Sequence, residues 1–154
     1  MTDISPKSDT QDIVVQEVFP HAPDTIWQAL TSGALIARWL MEPVGFEPVV
    51  GNRFTFHTTP AGQWDGTIQC EVIEAVPNRR FAYSWKGGHD GNEGYGSLLD
   101  TVVTWDLHAI EAGTRVTLTH AGFEMPRNET AFRNMSGGWQ KVLPRLGAIA
   151  DDLN

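Results

Sequence analysis

The spacing of apolar positions changes character three times along the chain. After a small, polar lead over residues 1–11, expected to be disordered, the β-branched run Ile13-Val14-Val15-Gln16-Glu17-Val18-Phe19 stops at Pro20 and predicts a first strand. Helical spacing follows. Pro23 and Asp24 suit a first turn, Ile26, Trp27 and Leu30 share a face, and Ser32-Gly33 breaks the pattern. Leu35, Ile36, Trp39 and Leu40 then predict a second short helix ending at Glu42-Pro43.

From there to about Glu124 the period is that of strands and turns. Arg53 to His57, Trp64 to Val76, Phe81 to Trp85, Leu98 to Ala109 and Thr114 to His120 read as strands. Between Lys86 and Ser97 lies a twelve-residue loop with five glycines. It lacks a GKS or GKT motif and leads into no helix, so it is no phosphate cradle. It reads either as a lid with Tyr95 as its apolar contact or as a plain flexible hairpin tip.

The last segment carries the clearest pattern. Phe132, Met135, Trp139, Val142, Leu146, Ile149 and Leu153 step by three and four, which predicts one amphipathic helix over Asn128 to Leu153. Asn128 is the expected N-cap, with Glu129 in the first turn. Gly137 and Gly138 each weaken such a helix by about 1 kcal/mol relative to Ala. Pro144 removes the hydrogen bond to the carbonyl of Gln140 and predicts a kink or break. Tertiary packing must hold a helix that keeps these residues, and the three together point to a gap beside it.

A strand–helix–helix–strands–helix order predicts an α+β fold. An antiparallel sheet of about six or seven strands would be covered on its apolar face by the long C-terminal helix, forming one domain over residues 12–154. Composition agrees, since 154 residues that are 41% hydrophobic can bury a core. Net charge is −8 and the eleven Lys and Arg are scattered, so neither nucleic acid nor an anionic membrane surface is an expected partner. No apolar run approaches the roughly 18 residues of a membrane span. A single cysteine, Cys70, and a polar N-terminus without a signal-peptide core point to the cytoplasm.

Several segments, in this order, resemble the helix-grip superfamily of START domains and the birch-pollen allergen. They are Ala22 to Thr31, Ala37-Arg38-Trp39-Leu40, Gly66 to Glu74, Pro77-Asn78-Arg79-Arg80-Phe81, Gly113 to His120, and Gly138-Trp139-Gln140-Lys141-Val142-Leu143. Within the superfamily the chain is similar to the branch named after activators of the Hsp-90 ATPase, over residues 13 to 152. The resemblance implies a curved sheet gripping the C-terminal helix, with an apolar cavity between them. Members bind lipids, hormones or polyketides, and some are enzymes. The chaperone activator has an additional N-terminal domain that engages the chaperone. This chain has no room for it, so chaperone contact is not expected.

Strand alternation sorts the side chains onto faces. Phe54 with Phe56, Phe81 with Tyr83 and Trp85, Val103 with Trp105 and Leu107, and Val116 with Leu118 and His120 are the expected helix-facing sets. Candidate ligand contacts are Trp39, Phe54, Phe56, Tyr83, Trp85, Trp105, His120, Met135 and Trp139, and the alternative is that these residues interlock and leave no cavity. His120 reads as a ligand-orienting donor, a general base, or a buried histidine with satisfied nitrogens. Cys70 shares its face with Ile68 and Val72 and reads as a small buried hydrophobe; as a nucleophile it would need a neighbouring base.

The five histidines show no ligand spacing, so neither a metal nor another cofactor is expected. The leading functional reading is non-catalytic binding of a small apolar or amphipathic molecule, oriented by Arg38, Tyr83 or His120. An enzyme of the same pocket, with His120 or Glu71 as acid or base, is the alternative. The third reading is protein interaction, including chaperone regulation or homodimerisation, and would show as an exposed apolar patch around Trp39 or Trp64.

Overall fold

The first strand, β1 (Asp9–Phe19), lies at one edge of a sheet whose order is β1-β6-β5-β4-β3-β2. The other strands are β2 (Arg53–His57), β3 (Thr67–Val76), β4 (Arg80–Gly87), β5 (Leu99–Ile110) and β6 (Gly113–Met125). All five pairings are antiparallel. Helices α1 (Pro23–Thr31) and α2 (Gly33–Trp39) follow β1, and α3 (Glu129–Asp152) closes the chain. The computed structural model describes residues 9–153. The curved sheet around the C-terminal helix is the expected helix grip, with six strands.

β3 begins at Thr67, not Trp64, and β4 runs to Gly87, two residues into the expected loop. The two largest differences from the expected strand ends, in β1 and β6, share one reason. The expected last strand stops at His120, two residues before Gly122. Gly122 is the extra residue of a β-bulge at φ +105°, where the partner register shifts between Gln11 and Asp12. The Asp12 carboxylate accepts a hydrogen bond from the Gly122 N–H at 3.2 Å. The bulge lets β6 run on to Met125 and turns His120 and Phe123 to the same buried side. The longer β6 offers backbone partners to Asp9, Thr10 and Gln11, which are therefore strand and not lead. The rest of the expected lead, residues 1–8, lies outside the described residues.

Every helix-facing set inferred from alternation is buried, from Phe54 and Phe56 through Val116, Leu118 and His120. Ile26, Ala29 and Leu30 of α1 and Ile36 and Trp39 of α2 join that core. Ser32 serves both short helices, ending α1 and accepting a hydrogen bond from Leu35 N at 3.3 Å to cap α2. The Trp39 indole donates to the Ala29 carbonyl at 2.9 Å, satisfying one of the acceptors that the end of α1 leaves open.

In helix α3 the break that Pro144 could impose does not occur, and the expected cap side chain is employed elsewhere. The helix runs unbroken through Pro144, because Leu143, Leu146, Gly147, Ile149 and Ala150 are buried around it and packing outweighs the lost hydrogen bond. The Asn128 side chain does not cap the helix. It is buried, accepts from Glu124 N at 2.9 Å, and donates to Ser97 Oγ at 3.0 Å and to the Leu98 carbonyl at 2.9 Å. A residue expected to serve the helix instead fastens the β6–α3 corner to the β4–β5 loop.

Candidate functional site

A cavity of about 230 Å³ opens at one end of the space between sheet and α3. Ile68 near the start of β3, Trp85 and Gly87 at the end of β4, and Leu99 at the start of β5 form its sheet wall. Ala131, Met135, Gly138, Trp139 and Val142 form its helix wall, with Asn134 at the exposed rim. Leu40 and Met41, just past α2, and Thr58, Trp64, Gly88, Tyr95, Gly96 and Ser97 from two loops complete the lining. No Asp, Glu, Lys, Arg, His or Cys lines it.

The two loops are fastened to each other. Asn92, in the β4–β5 loop, donates to the carbonyls of Ala61 (2.7 Å) and Gly96 (3.1 Å) and accepts from Gln63 N at 3.2 Å. Tyr95 donates its hydroxyl to the Thr59 carbonyl at 2.8 Å and packs against Trp64, ring centroids 6.1 Å apart. Gly88 closes the base of the loop at φ +77°, where a Cβ would sit 2.0 Å from the Ser97 carbonyl oxygen. The glycine-rich segment is thus tied to its neighbour at several points, and both border the cavity mouth.

Behind the cavity a buried polar chain links helix to sheet. The Trp139 indole donates to His120 Nδ1 at 3.0 Å. That leaves the ring proton on Nε2, which lies 2.7 Å from Thr101 Oγ1. The Thr101 hydroxyl in turn donates to the Trp85 carbonyl at 2.7 Å. Each member is satisfied only if His120 is the neutral Nε2–H tautomer. Burial disfavours the charged form and pushes the His120 pKa down to about 3. Both ring nitrogens are occupied, so the imidazole has no free position for acid–base work.

The family model for Activator of Hsp90 ATPase homolog 1-like proteins matches residues 20–151. The chain belongs to this family. Every residue of the cavity wall, from Leu40 to Val142, falls within the matched stretch. Among solved structures it is similar to protein MLL2253 of Mesorhizobium loti, at 30% identity and TM-score 0.81, covering 94% of this chain and 99% of that one. CalU16 of Micromonospora echinospora shares 26% identity at TM-score 0.68, over 92% of this chain and 76% of its own. The Aha1 dimer of Colwellia psychrerythraea shows the same fold at 20% identity and TM-score 0.68, over 89% of this chain and 93% of its own. No curated protein matches the sequence.

In this member of the family, three of the nine expected contacts meet at the cavity: Trp85, Met135 and Trp139. The other six lie behind its wall. Trp39 and Trp105 pack edge to face with centroids 5.4 Å apart, and Trp105 packs likewise on Trp139 at 5.8 Å. Tyr83 accepts from the Trp105 indole at 3.2 Å, and burial holds its phenol above the usual range. Phe54 packs against Phe56 and Tyr83, and Phe56 against Trp85. His120 is sealed in the polar chain. Alternation assigns a face but not a depth, and these six fill the deeper part of the same face.

The remaining candidates resolve in the same way. Arg38 is exposed and pairs with Asp152 at 2.9 Å, and Glu71 is half-exposed beside Arg53 at 3.5 Å, so neither reaches the cavity. Trp39 is buried and Trp64 half-buried, so they form no exposed patch. Cys70 is buried, its thiol pushed up to about 12 by desolvation. Leu40, Met41, Ile68 and Leu99 were missed. Ile68 and Leu99 come to the cavity through strand register, since Gly87 pairs with Leu99 and Phe56 with Ile68, which places them at one end of the sheet.

Proposed function

We propose that the protein binds a small apolar molecule in the cavity between sheet and α3 and does not transform it. The observation that carries this reading is an apolar-walled space of about 230 Å³ without an acidic or basic side chain in its lining. Acid–base or nucleophilic chemistry needs a titratable or activated group within reach of the ligand. Of the lining hydroxyls, Tyr95 is bonded to the Thr59 carbonyl and Ser97 to Asn128, and among the described residues neither has a base bonded to it. The one inward-facing histidine has both nitrogens engaged elsewhere. The single, buried Cys70 supports a reducing, cytoplasmic setting.

Gly138 provides the test. A Cβ built there meets nothing within 4 Å, and the residue lines the cavity. Gly138→Leu would therefore fill the space without disturbing the core. Naphthalene, followed by quenching of tryptophan fluorescence, is expected to saturate the wild-type protein and to bind the variant at least about tenfold more weakly. Equal affinity for both proteins, or no saturable binding by the wild type, would sink the reading.

A homodimer is a second reading. Strand β1 is an edge strand of eleven residues and shows Val14 and Val18 to solvent. The Colwellia relative is described as a dimer. Light scattering on a sizing column decides the matter, and a mass of 17.0 kDa at all concentrations would reject it.

A further inference from the structure

The Trp85 ring, which borders the cavity, carries a buried donor with nothing to bind. Trp85 is 4% exposed and borders the cavity, and among the described residues its indole nitrogen is the one buried side-chain polar atom without a hydrogen-bond partner. Natural proteins rarely leave such a group unsatisfied, because its desolvation is uncompensated. The rings around Trp85 cannot supply an acceptor. Phe56 has none, Trp139 offers only a donor, and both nitrogens of His120 are already engaged. The cavity is the open space that the Trp85 ring borders.

Resting on the cavity-binding reading, we infer that the bound molecule is an uncharged one- or two-ring compound carrying a hydrogen-bond acceptor, a ketone or ether oxygen, that takes the indole N–H of Trp85. Size and charge narrow the class further. The cavity is about half as large again as the roughly 150 Å³ apolar cavity that takes benzene. It accommodates a substituted or medium-sized ring, not a fatty-acyl chain of full length. A carboxylate or ammonium would lose its hydration with no opposite charge in the wall to replace it.

A matched pair of probes tests this, cyclooctane and cyclooctanone, which differ in one carbonyl and carry no aromatic ring currents. Affinities are read by NMR titration of ¹⁵N-labelled protein. The ketone is expected to bind about tenfold more tightly than the hydrocarbon, because it satisfies a buried donor. Only the ketone should move the Trp85 Nε1–H resonance downfield. In Trp85→Phe, which keeps a ring but lacks the donor, the preference for the ketone should disappear; if that variant folds poorly, the wild-type resonance decides the same point. Equal binding of both probes with an unmoved Trp85 signal overturns the inference and leaves the cavity-binding reading intact. Binding of neither probe overturns both. Cyclooctanecarboxylate binding as tightly as the ketone overturns the uncharged class.

Discussion

The two halves of α3 show the same helix solving opposite problems. Before Trp139 it borders open space, and Cβ atoms built at Gly137 and Gly138 touch nothing. After Trp139 it is pressed onto the sheet. A Cβ at Gly147 would lie 2.6 Å from Cε1 of Phe19 on β1, and Leu143, Leu146 and Ala150 are fully buried. Glycine is thus present for different reasons along one helix. At position 147 it permits close approach to the sheet, whereas at 138 it leaves room for the cavity. Tight packing of the second half anchors the helix, so the first half can stand away from the sheet without detaching.

Truncation should expose the contrast most strongly. Leu146→Ala is expected to destabilise by about 3 kcal/mol in urea unfolding, since the cavity it creates cannot collapse. Met135→Ala, at a wall that already faces open space, should cost well under half of that. Equal losses would show that the first half is packed as densely as the second.

Adding a methyl group should invert the usual helix preference. Gly147→Ala is expected to lower stability by roughly 1–3 kcal/mol, because Phe19 must move aside in a filled core. Gly137→Ala should raise it by about 1 kcal/mol, because the site is free and alanine restricts the unfolded chain. Thermal melts of the two variants should therefore shift in opposite directions.

At the seam between the halves sits the Trp139–His120 bond, which makes a prediction about pH. His120 stays neutral when folded down to about pH 3, whereas the unfolded histidine takes up a proton near pH 6.5. Between these values the unfolded state binds more protons, so stability rises with pH and falls as the solution is acidified from about 6.5 toward 3. One such group contributes a slope of up to about 1.4 kcal/mol per pH unit. His120→Gln should remove that increment while the carboxylate contribution remains. Identical slopes for variant and wild type between pH 4 and 6 would mean that His120 is protonated in the fold.

Much of this organisation was legible in the sequence. Period-two alternation assigned every major inward set correctly, and the three–four stripe placed α3 to within a residue at each end. The failures share a physical origin. The strand expected to end at His120 and the cap expected at Asn128 are both overridden by a tertiary partner: Asp12, which bonds the Gly122 bulge, for the one, and Ser97 and Leu98 for the other. The open cavity was expected from Gly137, Gly138 and Pro144, but Gly137 and Pro144 face solvent, and Gly138 alone of the three lines the space.

The amino-acid pattern alone determined the elements, their faces and the need for a helix over the sheet, because burial of apolar area follows periodicity and periodicity is local. Depth was decided by tertiary structure. Whether an inward residue such as Trp105 or Trp85 ends in the filled or the empty part of the same face depends on strand register, on the bulge at Gly122 and on where Gly147 lets the helix touch down. These are distances between elements far apart in the chain, and no spacing within a single element encodes them.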